Sequence, residues 1–376
     1  MKVALLGHGV VGRGVDQILS SRDLGVEVTR ILELPGRLDD GRMTSDYEDI
    51  LGDGQIELVV ECMGGLEPAH GYILSALAAG KSVVTSNKAV VAAYLDEFAS
   101  QARFSRASLL IEATCGGGVP WIASIEKARR IDRISSIGGI MNGTTNFIVD
   151  AMEREGAEFA DVLARAQELG YAERDPSADI DGIDVRNKTA IAASVAFGCA
   201  CRTDIPTSGI RNLTKADLDL LASRGLSLRL LGRAVQEGGR FAASVEPVVL
   251  GHRALEANVP GNFNLLSLVG ETVGELGFYG QGAGSLPTGN AMVQDILDFR
   301  DGRRPSYDLS ADLAYDPGLL RGDYLLRSGL APEGSEEWAP GVSLLRGLSA
   351  EEARATLDRV LGADPTSFMA VLDARG

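Results

Sequence analysis

A short apolar run, Lys2-Val3-Ala4-Leu5-Leu6, leads directly into Gly7-His8-Gly9-Val10-Val11-Gly12, and this G-x-G-x-x-G turn constrains the fold more than any other feature of the chain. The spacing predicts a strand, a tight bend and a helix. In a turn of this kind the first glycine permits the bend, the second lets a pyrophosphate approach the main chain, and the third lets helix and strand pack closely. The helix N-terminus then offers N–H groups and a partial positive charge to the phosphates. The motif alone is weak evidence; its place after the first strand of an alternating domain is the context that a dinucleotide site requires. His8 fills a position where the motif accepts any side chain that can point away.

To about residue 142 the chain alternates apolar runs (26–32, 58–62, 82–86, 108–114, then 134–138) with helical periodicity at 68–79 and 90–102. That pattern predicts a Rossmann-type, doubly wound α/β parallel sheet. Beyond Phe147 helices come in succession (160–169, 184–197), followed by strand-like runs at 226–235, 242–250 and 265–270, which is α+β in character. A glycine cluster at 277–284 precedes a helix at 288–299 with Pro287 at its entrance. The expected organisation is a dinucleotide-binding domain over 1–142, completed by a returning helix at 288–300, a substrate-binding and dimerisation domain over 143–287, and a C-terminal extension over 301–376. That extension reads strand (323–328), helix (350–361), strand (367–372).

A chain of 376 residues, 45% hydrophobic, can bury more than one core. Its net charge of −16 disfavours nucleic-acid partners. No window approaches the ~18 uncharged apolar residues of a membrane span, and the apolar N-terminal run stops too early for a signal peptide, so a soluble, cytoplasmic protein is expected. Cys62, Cys115, Cys199 and Cys201 include no C-x-x-C pair, and the three histidines are scattered, so neither a zinc site nor a disulfide framework is signalled.

The densest polar stretch runs from Gly170 to Lys188. Asp179, Asp181 and Gly182 resemble part of a calcium loop, but Lys188 stands where the bidentate glutamate would be needed. Asp184 and Lys188, four apart, share one helix face, and from Thr189 to Phe197 that helix has almost no polar side, which implies burial. A buried lysine beside a carboxylate is costly unless paired, and such pairs gather at functional sites. Thr85-Ser86-Asn87-Lys88-Ala89 follows a strand and so belongs at the sheet's carboxyl edge. Two loops, Gly116-Gly117-Gly118-Val119-Pro120 and Asn142-Gly143-Thr144-Thr145-Asn146, are able to shape a pocket or to act as hinges.

Taken together, these segments resemble homoserine dehydrogenases from Lys2 to about Phe299: the glycine turn, Glu61-Cys62-Met63-Gly64-Gly65-Leu66-Glu67-Pro68, the Lys88 segment, residues 112–120, the Asn142 loop, residues 169–173 with Asp175-Pro176, Asp179 with Gly182, Asp184 and Lys188, and Gly282-Ala283-Gly284. The resemblance implies NAD(P)-linked interconversion of homoserine and aspartate 4-semialdehyde, on the route to threonine, isoleucine and methionine, by a homodimer. By motif position it implies that Lys188 donates a proton to the aldehyde oxygen, with Lys88 beside the reacting centre. Asp184, Glu173, Asp179 and Tyr171, with Gly143 and Thr144, would bind substrate. Gly7, Gly9, Val10, Val11, Gly12, Cys62, Lys88 and Gly284 would hold the cofactor. It further implies a monovalent cation, sodium, at Glu112, Cys115, Gly117 and Val119, mostly on backbone oxygens.

The residues around the end of the second strand, Arg30-Ile31-Leu32-Glu33-Leu34-Pro35-Gly36-Arg37, offer both an acid for a ribose 2′-OH and arginines for a 2′-phosphate, so NAD and NADP both stay open. Leu34-Pro35 stands where related sequences often have Arg-Asp. The extension after Phe299 is shorter than the regulatory domain many members append and resembles a reduced version of it. The sequence leaves two rival readings open. One is a dinucleotide sensor without turnover; the other is a semialdehyde oxidoreductase using a thiol, for which Cys115 is the candidate although no histidine is near it in sequence.

Overall fold

The computed structural model describes residues 1–37 and 39–373, and its contacts group the chain into two units. The first comprises Met1–Lys127, Ser194–Arg202 and Gln281–Ala311; the second comprises Ala128–Ala193, Thr203–Gly280 and Asp312–Gly376.

Six parallel strands form the first unit's sheet: β1 (Lys2–Leu6), β2 (Glu27–Leu32), β3 (Met43–Thr44), β4 (Ile56–Glu61), β5 (Ser82–Thr85) and β6 (Leu109–Leu110), in the order β3-β2-β1-β4-β5-β6. β1, β4 and β5 are buried on both faces, as continuous Val, Leu and Ile runs require in a sheet covered by helices. The chain leaves β1 for β2 on one side and β4 for β5 on the other, so the strand order reverses between β1 and β4. At such a switch point the carboxyl ends of the strands open a crevice. The Ser285–Arg300 helix packs on the Val10–Ser20 helix so closely that the Cβ position of Gly289 lies 3.2 Å from the Gly14 main chain. Met292, Val293 and Ile296 share one core with Val3, Leu5, Val60 and Val84.

The second unit is built on a ten-stranded sheet: β7 (Ile134–Ile140), β8 (Leu226–Glu237), β9 (Arg240–Gly251), β10 (Phe263–Gly270), β11 (Gly274–Gln281), β12 (Ala314–Tyr315), β13 (Arg321–Arg327), β14 (Glu336–Ala339), β15 (Val342–Ser349) and β16 (Phe368–Leu372). The order is β11-β10-β7-β8-β9-β16-β13-β15-β14, with β12 beside β9. The antiparallel pairing of β8 with β9 runs the full length of both strands. The Ile183–Phe197 helix lies on one face, where the Cβ position of Gly232 would meet the Thr189 hydroxyl oxygen at 2.0 Å. A side chain on β8 at that point would push the helix off the sheet.

Several elements depart from the sequence expectations. The run at 134–138 is β7 of the second sheet, paired antiparallel with β8 and β10, so the unit boundary falls after Lys127 and not at 142. The expected strand at 108–114 shrinks to Leu109–Leu110, because the Glu112 N–H is drawn to the Asp295 carboxylate at 3.0 Å and the chain turns into a 3-10 helix, Glu112–Thr114. The glycine cluster is mostly strand: Gly274–Gln281 is β11, an edge strand that tolerates glycine because one side of it needs no partner. Nor is the C-terminal extension a separate module. β16 pairs parallel with β9, and Leu326, Leu345, Leu357 and Val360 join Ile140, Leu231 and Val248 in one core.

Candidate functional site

In the first unit Gly7 closes β1 with φ +92°, a left-handed conformation that only glycine adopts cheaply. Gly12 is constrained by distance: a Cβ there would lie 2.2 Å from the Gly7 carbonyl oxygen. Gly9 faces open space, with nothing within 4 Å of its Cβ position, and no side chain caps the Val10–Ser20 helix there. Val10 is exposed and Val11 half-buried. A helix N-terminus without a side-chain cap behind an open glycine is what a pyrophosphate needs, so the residues present fit a dinucleotide. Cys62 adjoins the turn, its Cβ 3.6 Å from the Gly12 Cβ position. The His8 ring is tied to Asp16 at 3.1 Å, which the Arg42 guanidinium grips at 2.8 and 2.9 Å, so His8 is anchored and is no free base.

Glu33, just past β2, accepts the N–H of His8 at 3.0 Å and of Leu34 at 2.9 Å, and these bonds hold its carboxyl below the usual range. Lys88, half-buried, opens the Lys88–Ser105 helix, whose first turn is capped by the Asn87 side chain accepting from the Val90 N–H. Gly284 precedes the Ser285–Arg300 helix.

Glu112, Cys115 and Val119 are buried. The Glu112 carboxylate accepts the N–H groups of Trp121, Ile122 and Ala123 at 2.6, 3.0 and 2.7 Å, capping the Trp121–Arg129 helix. Burial pushes this carboxyl up to about 7. Gly117 packs against the chain at Gly282, 2.5 Å from its Cβ position. Among the described residues, no three His, Cys, Asp or Glu side chains gather as a metal cluster. Cys115 is buried, its sulfur 3.7 Å from the Thr114 hydroxyl.

The second unit brings the other predicted residues together. The Lys188 ammonium meets the Asp184 carboxylate at 2.8 Å, with side chains 8% and 6% exposed, and donates to the Met141 carbonyl at 2.7 Å. The pair is buried because Thr189–Phe197 lies inside the protein and fixes the helix orientation. The Asn142 amide nitrogen donates to Asp184 at 2.8 Å and to Asp179 at 2.7 Å. Its amide oxygen accepts the Thr145 N–H at 2.8 Å, capping the Gly143–Glu155 helix. Gly143 has no room for a side chain, its Cβ position being 2.5 Å from the Asn262 carbonyl oxygen. The Thr144 hydroxyl donates to the Tyr171 carbonyl at 2.6 Å, and the Tyr171 ring meets Phe147 edge-on. Glu173 lies exposed on the loop beyond Tyr171.

Asn142 stands in a loop that the sequence singles out, but its side chain is given no role there. The signal was present: an asparagine before Gly-Thr-Thr is a helix cap, and a cap that spends its oxygen on the helix keeps its NH2 for two acceptors. Two carboxylates, Asp179 and Asp184, share the Asn142 amide, and the one ammonium shown is at Asp184, so the cluster carries an excess negative charge suited to a substrate that brings its own ammonium. The lysine can give a proton to, or stabilise, an oxygen gaining charge.

Family models match both halves of the chain: the homoserine dehydrogenase NAD-binding domain over residues 7–112, and homoserine dehydrogenase over residues 120–297. The chain is 39% identical over 315 residues to a homoserine dehydrogenase of Synechocystis sp., spanning 79% of this chain and 73% of that protein. Among solved structures, a homoserine dehydrogenase from Thiobacillus denitrificans superposes with a TM-score of 0.87 at 31% identity, covering 100% of this chain and 99% of that one. A hyperthermophilic archaeal homoserine dehydrogenase mutant, solved in complex with NADPH, matches 81% of this chain and 98% of its own with a TM-score of 0.69 at 27% identity. Turn, buried pair and relatives agree, and the chain belongs to the homoserine dehydrogenase family, nicotinamide-dependent oxidoreductases that interconvert homoserine and aspartate 4-semialdehyde.

Proposed function

We propose that Lys188 is the acid and base of this reaction, oriented by Asp184, and the observation that carries the reading is their buried contact. A bound nicotinamide dinucleotide supplies or accepts the hydride. As hydride reaches the aldehyde carbon, charge grows on its oxygen; Lys188 donates a proton there, and in the reverse direction takes it from the hydroxyl of homoserine. Asp184 keeps the ammonium aimed while the Met141 carbonyl fixes one of its N–H directions. Asp179, with Glu173 on the exposed loop, binds the substrate ammonium, and Thr144, Gly143 and Tyr171 shape the wall around it. Lys88, at the start of its helix in the first unit, supplies a positive charge at the reacting end of the dinucleotide. Gly7, Gly9, Gly12, Val10 and Val11 receive the pyrophosphate, with Cys62 and Gly284 lining the cofactor.

NAD is the preferred cofactor in this reading, because an ionised Glu33 at the end of β2 pairs with a ribose 2′-OH and repels a 2′-phosphate. The implied sodium would be held on the loop following Glu112, mostly by the backbone oxygens of Cys115, Gly117 and Val119. The Glu112 carboxylate is committed to its helix, and neutral oxygens suit a hard monovalent ion better than a transition metal. A homodimer in the cytoplasm completes the proposal; no helix of the described residues is long and apolar enough to cross a membrane.

The decisive experiment is reduction of NAD+ and of NADP+ with L-homoserine by wild type and Lys188→Ala. Wild type is expected to turn over, with the lower KM for NAD+, and the variant to lose about 10²–10⁴ in kcat while binding dinucleotide normally. Equal rates would remove Lys188 from the mechanism.

A further inference from the structure

Glu61 has no part in the mechanism above, yet it is wholly buried at the end of β4, between the strand that enters the glycine turn and the strand that enters Lys88. One carboxylate oxygen accepts the Met63 N–H at 2.7 Å, and Met63 packs at the Gly7 turn, its Cγ 3.2 Å from the Gly7 Cβ position. The other oxygen pairs with the Thr85 hydroxyl at 2.5 Å. That hydroxyl oxygen accepts the Asn87 N–H at 3.0 Å, and the Asn87 amide donates to the Gly65 carbonyl at 2.8 Å while capping the helix that starts at Lys88. A single carboxylate therefore links both segments.

We propose that Glu61 is a positioning residue, whose ionised carboxylate holds the Gly7 turn and the Lys88 helix start in register for hydride transfer. This rests on the reading of Lys88 as part of the reacting end. The hydrogen bonds run one way, Asn87 N–H to Thr85 oxygen and Thr85 O–H to Glu61, and only an acceptor at Glu61 completes them. A proton on the oxygen facing Thr85 turns that hydroxyl's hydrogen away into a buried setting; a proton on the other oxygen opposes the Met63 N–H. Burial pushes the carboxyl up to about 7, so both forms are populated near neutrality. The titratable side chains on the adjoining segments are His8, Cys62, Glu67 and Lys88. Burial and the Glu61 charge raise the Cys62 thiol, and what acts on Glu61 itself is burial, Thr85, Met63 and Asn87, none of them a cation.

The test measures kcat/KM and NADH binding by fluorescence from about pH 5.5 to 8.5 for wild type, Glu61→Gln, Thr85→Val and Thr85→Ser. Glu61→Gln presents an NH2 to Thr85 and mimics the protonated form. It is expected to lose the acidic limb with its midpoint near 7 and to show the low-pH wild-type kcat/KM throughout. Thr85→Val lowers kcat about tenfold or more, and Thr85→Ser restores it. An acidic limb unchanged in Glu61→Gln, or Thr85→Val indistinguishable from wild type, overturns the proposal. Thermal unfolding at pH 8 gives a readout without substrate: Glu61→Gln, relieved of a buried charge, melts no lower than wild type, and a lower melting point counts against it. Lys88→Met separates the two readings, since an unaffected kcat there with the limb still lost in Glu61→Gln refutes the role of Lys88 and confines Glu61 to the Gly7 turn.

Discussion

Removing Asp184 while leaving Lys188 tests whether the buried pair is energetically coupled. In Asp184→Ala the ammonium, 8% exposed, loses the carboxylate at 2.8 Å. Breaking one side of a buried pair costs about 3–5 kcal/mol. The bond to the Met141 carbonyl at 2.7 Å survives and is charge-assisted, so the lower figure, about 3 kcal/mol, is expected. Urea unfolding followed by tryptophan fluorescence reads this directly, because Trp338 lies in the second unit and Trp121 in the first. With a slope of about 3 kcal/mol per molar urea, the Trp338 transition moves down by about 1 M. Asp184→Ala with Lys188→Met removes both charges and should recover about 2 kcal/mol relative to the sum of the single effects. A single variant within about 0.5 kcal/mol of wild type, or strictly additive effects, would show that the pair is not coupled.

Asn142→Ala removes the amide shared by Asp179 and Asp184 and is expected to raise KM for homoserine about tenfold while dinucleotide affinity, measured by fluorescence, stays unchanged. Gly12→Ala forces a Cβ to 2.2 Å from the Gly7 oxygen and should raise the dinucleotide Kd at least about tenfold in titration calorimetry. Glu61 and Glu112, both raised from 4.5 to about 7 by burial, bind protons in the folded chain that the unfolded chain has released. Their contribution to stability is full below 4.5 and is lost as pH rises to 7, so the urea midpoint should fall across that window and level off above it. A midpoint rising between those values would contradict the burial of both acids. Dialysis from sodium into a large organic cation should lower kcat if the carbonyl loop at Cys115, Gly117 and Val119 is occupied in the working enzyme.

What the sequence made legible follows from locality. The Gly7–Gly12 turn encodes its bend, its close approach and its helix within one short segment. The Asp184–Lys188 pair is a spacing on one helix, and the apolar run after it announces its burial. β7 was misplaced because pairing partners are not local: Ile134–Ile140 reads as one more strand of an alternating series, and its antiparallel neighbours β8 and β10 come far later in the chain. β14 and β15 were unread because Glu336, Glu337, Ser343, Arg346 and Gly347 interrupt their apolar alternation. Asn142 needed three dimensions, since its acceptors stand on other segments. In the sequence Glu61 reads only as part of the 58–62 run and of the resembling segment 61–68; its complete burial on a central strand between β1 and β5 is a property of the assembled sheet.

Neither unit is continuous in the sequence, and this governs how the chain can mature during synthesis. The parallel sheet gains the Ser285–Arg300 helix, a wall of its core, only after most of the polypeptide has been made. β16 inserts between β9 and β13 later still. Translation therefore keeps both hydrophobic interiors unfinished almost to the last strand, a state in which apolar surface lies open to other nascent chains.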